Sequence, residues 1–108
     1  MINQLLTQRL TLIKRTKDRT GSYVNSQEFD ELGFFEENRS RKIDGNQQEY
    51  ESAGIFYLRP TSEITKTLDW VINFDGLDYD VKGVDKIVDP RNNQTHHYEV
   101  HVAGGRNV

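Results

Sequence analysis

The sequence predicts an all-β domain, a small antiparallel β-barrel. Three observations carry this expectation. Apolar residues alternate with polar ones in short runs, as where Leu77, Tyr79 and Val81 interleave with Asp78, Asp80 and Lys82. That is the two-residue period of a strand with one buried and one wet face. An Asp75-Gly76 pair joins two such runs, the favoured two-residue hairpin link. Turn-forming residues separate the runs at short intervals, the pattern of a barrel or sandwich. A closed sheet also hides strand edges, which matters for a chain of 108 residues with 34% hydrophobic residues and a thin core.

The elements follow in order. Ile2, Leu5 and Leu6 fall near helical spacing, so Ile2–Thr7 reads as a short helical turn. Leu10–Arg15 reads as a strand, with Leu10 and Leu12 on one face and Thr11 and Ile13 on the other. Thr16–Ser26 is polar, contains Gly21, and reads as a turn or mobile loop. Glu28–Glu37 is an apolar island around Phe29, Leu32, Phe34 and Phe35. Gly33 argues against one long helix there, and a strand is expected from Phe34. Arg39, Arg41, Lys42, Asp44, Gly45, Asn46, Gln47, Gln48 and Glu49 form a polar middle, expected as an exposed loop or long hairpin tip protruding over residues 39–53. Ile55–Leu58 is a strand that stops at Arg59-Pro60, because proline cannot donate to a ladder.

The core hairpin is the strongest local pattern. Trp70, Ile72 and Phe74 precede the Asp75-Gly76 turn, and Leu77, Tyr79 and Val81 follow it. A type I′ turn needs positive φ at both central residues, which Asp and Gly accept. Val84–Val88 continues the pattern after Gly83, and Asp89–Asn93 forms a loop. His96–Ala103 is the last strand, with His96, Tyr98, Val100 and Val102 expected on the core face. Residues 1–103 make one domain, and 104–108 are expected to fray.

Composition narrows the function. The net charge is −3 and the pI about 5.6. Basic clusters occur at Lys14–Arg19 and Arg39–Lys42, but acidic residues are spread through the rest. Tight, sequence-independent DNA binding normally needs a basic balance. A mixed or acidic surface suits a passage through which DNA slides without sticking. There are no cysteines, hence no disulfide, thiolate metal site or cysteine nucleophile. No apolar run approaches the ~20 residues of a membrane span, and no signal peptide is apparent. Assembly in the cytoplasm of the producing cell is expected.

No catalytic constellation emerges, so a non-enzymatic protein without cofactor is expected. His96 and His97 should point to opposite faces of a strand, and His97 and His101 should lie ~13 Å apart at ~3.3 Å per residue. One zinc ion needs all its ligand atoms within ~2 Å, so no metal site is expected. Asp75, Asp78, Asp80, Asp85 and Asp89 are dense, but Lys82 sits where a calcium loop starting at Asp78 needs a ligand, and the closing glutamate is missing. No glycine-rich phosphate loop or nucleophile elbow occurs. Tyr50, Phe56, Tyr57 and Tyr79 could stack on single-stranded bases, though Asp78 and Asp80 beside Tyr79 would repel phosphate. A small-barrel nucleic-acid module is the alternative on these grounds.

The C-terminal half resembles a known family. Ile72-Asn73-Phe74-Asp75-Gly76-Leu77-Asp78-Tyr79-Asp80-Val81, then Val84-Asp85-Lys86-Ile87, a loop with Pro90, and His96-His97-Tyr98-Glu99-Val100 look like the ending of putative minor capsid proteins of tailed bacteriophages. Arg9-Leu10-Thr11-Leu12-Ile13-Lys14-Arg15-Thr16 is similar to the opening strand of head–tail joining (stopper, or head-completion) proteins. Together these cover about half of the chain. Glu28–Phe35 is more aromatic than the family pattern. The resemblance implies a β-barrel that forms a ring, six- or twelve-fold, in the neck of the virion. Such a ring docks on a portal or adaptor ring above and a tail-terminator or tail protein below. It closes the channel around packaged double-stranded DNA without binding it tightly, using a mid-chain loop that here corresponds by position to Arg39–Ala53. An adaptor or tail terminator of the same neck is the alternative; adaptors tend to be helical.

Overall fold

The computed structural model describes residues 6–43, 49–65 and 69–106. They form six antiparallel strands: β1 (Gln8–Lys17), β2 (Tyr23–Ile43), β3 (Glu49–Leu58), β4 (Trp70–Phe74), β5 (Leu77–Asp89) and β6 (Gln94–Arg106). The sheet closes in the order β1-β2-β3-β6-β5-β4, because β1 pairs with both β2 and β4. The expected all-β barrel is the observed fold.

Alternation works where it was read. Leu10 and Leu12 are buried, while Thr11 and Ile13 on the other face are half-buried. Phe56 and Leu58 on β3, Ile72 on β4, Tyr79 and Val81 on β5, and Val100 and Val102 on β6 complete the interior. Burying each such side chain contributes about 1.5–3 kcal/mol. The β4–β5 turn has φ of 55° at Asp75 and 79° at Gly76, as a type I′ hairpin demands. β3 ends at Leu58, directly before Arg59-Pro60.

Several expectations are corrected. The hairpin joining β1 and β2 is longer than expected: Thr16 and Lys17 belong to β1, β2 begins at Tyr23, and only residues 18–22 turn. Gly33 does not break an element. It lies mid-way along β2, where a Cβ would come within 2.8 Å of the Tyr57 carbonyl oxygen and 2.9 Å of Leu10 Cδ2. Absence of a side chain lets β2 pass close to the core there. Gly83 likewise sits inside β5, at a register shift that moves the buried phase from Val81 to Val84. The helical turn over Ile2–Thr7 falls largely outside the described residues; Leu6 and Thr7 are not helical, and Leu6 is fully buried. Gly104, Gly105 and Arg106 are not a frayed tail but continue β6, with Gly104 paired to Tyr79.

At β6 the expected core face fails at its first residue. The register shifts between Ile87–His97 and Val88–Thr95, which leaves His96 as the extra residue of a bulge. His96 is exposed and His97 is buried. The bulge also brings the two rings together, with Nδ1 atoms 2.7 Å apart, where regular alternation would have separated them.

Strand β2 determines the shape. Its 21 residues would span ~66 Å if straight at ~3.3 Å per residue, yet the longest dimension of the molecule is 46 Å. The strand must curve. Its first half, to Gly33, pairs with β1, and its second half, from Gly33, pairs with β3. Each half thus continues into a two-stranded ribbon, at opposite ends of β2.

Candidate functional site

Of the two forms expected for the polar segment 39–53, loop or long hairpin tip, its described residues form the hairpin, a two-stranded ribbon. Ser40, Arg41, Lys42 and Ile43 pair with Ser52, Glu51, Tyr50 and Glu49. β6 pairs with β3 only from Ser52 onward, so Glu49–Glu51 have β2 as their one strand neighbour. The C-terminal end of the segment belongs to the interior, since Ser52 and Ala53 are fully buried. Gly54 is buried in β3 at a register shift, with φ of 152° and a Cβ position 2.2 Å from the Glu36 carbonyl oxygen. Asp44, Gly45, Asn46, Gln47 and Gln48 lie outside the described residues.

Charges of both signs line this ribbon. Arg41 meets Glu49 at 3.4 Å, and Arg39 meets Glu37 at 4.0 Å, all with largely exposed side chains. Exposed pairs of this kind contribute little to stability. Arg39 also donates to the Gly104 carbonyl at 3.4 Å, tying the base of the ribbon to β6. Ile43, at the end of β2, is 62% exposed. The ribbon is thus a polar projection with an apolar residue near its described tip.

Beneath it lies an aromatic cluster. Phe35 stacks on Phe56 at 4.4 Å and meets Tyr79 at 5.0 Å, and Phe74 approaches both phenylalanines within 6 Å. Tyr79 is 3% exposed. Burial, then the Glu37 carboxylate, raises its pKa above the ordinary 10.0. Of the residues read as the core hairpin, Trp70, Ile72, Tyr79 and Val81 are buried, Phe74 and Leu77 pack against them, and Asp75 and Gly76 are the exposed turn. Phe56 and Tyr79 therefore have no face to offer a base. That weakens the stacking platform read from Tyr50, Phe56, Tyr57 and Tyr79.

The histidines occupy the outer face of β6. His97 Nε2 meets Glu99 Oε2 at 3.0 Å, and its ring lies 6.0 Å from that of Tyr57. Tyr57 donates to Glu36 at 3.3 Å. Burial, then the neighbouring Glu36 and Glu99, raise the Tyr57 pKa. His101 pairs separately with Asp85 at 2.9 Å. Among the described residues no three His, Asp or Glu side chains are grouped to hold a metal ion.

A wide groove runs beside the β1–β2 strand pair, lined by residues of both its faces. It encloses about 1020 Å³ between Arg9–Thr11, Glu28–Leu32, the segment after β3 and the β4–β5 turn. Its rim holds Glu28, Asp30, Glu31, Glu63 and Asp75 against only Arg9 and Arg59. Sequence reading missed this site. The five acids are scattered over 48 positions, and only barrel closure collects them.

Comparison with solved structures finds a whole-chain likeness. The xkdH protein of the phage-like element PBSX of Bacillus subtilis superposes with a TM-score of 0.56 at 16% identity, covering 90% of this chain and 92% of that one. At this identity the likeness establishes a common fold. No protein-family model matches the chain, and no curated protein matches it in sequence.

Proposed function

We propose that this chain is a ring-forming structural protein of a phage head–tail connector, of the stopper or head-completion type. The observation that carries the reading is the end-to-end fold likeness to a phage-element protein, found for a chain whose sequence independently resembles phage neck proteins. The fold adds support. An all-strand domain with one polar ribbon standing off a closed barrel offers a body for ring packing and an arm for the channel. Around a ring, identical arms converge on the axis by symmetry. Arg39, Arg41, Lys42 and Glu49 lie on the described part of that arm. Polar side chains there can hydrogen-bond across copies. The absence of helix among the described residues favours a stopper over a helical adaptor.

In this reading the protein is not an enzyme. Its partners are copies of itself, a portal or adaptor ring, a tail-side protein, and packaged double-stranded DNA held only loosely. It acts in the neck of the virion. The test is to add the purified chain to tail-less, DNA-filled heads of the encoding virus. Negative-stain images should show new density at the portal vertex, and the heads should retain DNA after the addition. Heads that neither bind the chain nor retain more DNA would rule the reading out.

A further inference from the structure

The β1–β2 hairpin carries a second charged feature, of opposite sign to the groove. Lys14, Arg15, Lys17 and Arg19 fall within six positions. Beyond Lys14, β1 loses its partner β4, and the hairpin projects as a two-stranded ribbon. Asp18 is the one acid at its tip, and the turn occupies it. Its carboxylate accepts from the Thr20 hydroxyl at 2.7 Å and from the Thr20 and Ser22 amides at 2.8 and 3.0 Å. The tip is thereby held in one shape, with Lys17 and Arg19 exposed, while Arg15 faces Asp80 at 3.9 Å and Lys14 lies over the Trp70 ring. The guanidinium of Arg15 and the ammonium of Lys17 sit 4.9 and 5.4 Å from the ring of Tyr23. Tyr23 is 48% exposed and Val24 45%, so the tip also offers apolar surface.

The groove has the matching features. None of its five carboxylates belongs to an ion pair among the described residues. Leu32, half-buried and opposite Arg9, gives it an apolar residue, while Phe29, opposite Leu12, packs inward on Trp70. The hairpin cannot fold back into the groove of its own chain, because both are parts of one strand pair: Glu28, the nearest groove acid, lies opposite Ile13, four residues (~13 Å) from Lys17, and Arg9 at the far end lies eight residues away along β1. That is ~26 Å of extended strand. We infer that the basic β1–β2 hairpin tip of one copy docks in the acidic groove of the next. The contact joins two different surfaces, so it repeats head to tail and closes into a ring when the rotation permits. It supplies the ring reading above with a specific interface and rests on that reading for its biological setting. The tip is small beside a standard interface of ~800 Å² per partner. A single contact is therefore weak, and a closed ring is held by many contacts at once.

Two charge reversals in the full-length chain test this. One carries Lys17→Glu and Arg19→Glu at the tip; the other carries Glu28→Lys and Glu63→Lys in the groove. All four positions are exposed, and Trp70 emission checks that each variant is folded. Sedimentation of concentrated protein at low salt should show self-association of the wild type. Each variant alone should associate at least about tenfold more weakly, since like charges then face each other. An equimolar mixture of the two should associate again, because each tip then finds a groove of opposite sign. Oligomers that persist in both variants would overturn this interface and leave the ring reading standing on another surface. A wild type that stays monomeric throughout would also overturn the interface, while head binding, scored separately, still judges the neck assignment. If tip reversal abolished only the binding of a short DNA duplex, the tip would be a phosphate contact and the proposal would fail.

Discussion

The ring of Phe35 stacks on that of Phe56 across the β2–β3 ladder, with 4.4 Å between centroids and 25° between planes. Phe56 is fully buried and Phe35 partly so, and both contact Tyr79 and Phe74. This cluster sits where the polar ribbon leaves the barrel, so it anchors the arm. Phe35→Ala should destabilise the fold by about 2–4 kcal/mol, from lost burial plus the cavity left behind. Urea unfolding followed by fluorescence measures it. A loss under ~0.5 kcal/mol would mean that the ribbon is not anchored through this stack.

Trp70 is the one tryptophan and is 1% exposed. Its indole N–H donates to Thr65 Oγ1 at 3.1 Å, which ties the segment between β3 and β4 to the barrel. Emission of the native protein should be blue-shifted and should move red on unfolding. Thr65→Val keeps the shape but leaves the N–H unpaired, at a cost of about 1–3 kcal/mol.

Two glycines should respond very differently to alanine. At Gly76 the strain is local: φ is 79°, but nothing lies within 4 Å of an added Cβ. Gly76→Ala should cost about 1–2 kcal/mol. At Gly54 the added Cβ would strike the Glu36 carbonyl oxygen and the Phe35 ring. Gly54→Ala should cost more than about 3 kcal/mol or prevent soluble expression. Thermal unfolding of the two variants side by side checks the order.

Stability should fall at both pH extremes for identifiable reasons. Hydrogen bonds from the Thr20 hydroxyl, then from the Thr20 and Ser22 amides, hold Asp18 below its usual 3.8. Asp89 is lowered mainly by the Arg91 side chain. Both folded-state values are depressed, so their contribution is complete above the unfolded value and is lost as pH falls through it to the folded one. Tyr79 behaves oppositely. Its folded value is raised above 10.0, chiefly by burial, so its contribution is complete below that pH and is lost as pH rises through the raised value. Urea midpoints against pH should form a plateau with two falling limbs. Asp18→Asn should flatten the acid limb and Tyr79→Phe the alkaline one.

Much of the fold was legible because it depends on local pattern. The Asp75-Gly76 turn and the Leu77, Tyr79, Val81 alternation specify their hairpin without long-range information. What escaped depends on contacts distant in sequence. Gly33 looked like a boundary, yet it marks where β2 passes closest to Leu10 and Tyr57. His96 followed the alternation on paper, but a bulge set by pairing with β5 displaced it. The ribbon at Arg39–Glu51 was legible only as a loop or a long hairpin tip, because polarity alone cannot separate a loop from a ladder with two wet faces. Ile64 and the acidic groove were illegible for the same reason: only the closed sheet places them.

The proposed function puts this barrel in a ring in a virion neck, with its β2–β3 arms turned toward the channel. A density map of the neck of the encoding virus at subnanometre resolution tests it most directly. The neck should contain a ring of six-stranded barrels below the portal, with the ribbon of each copy reaching the axis. A neck with no such ring, or a ring whose ribbons point away from the channel, would contradict it.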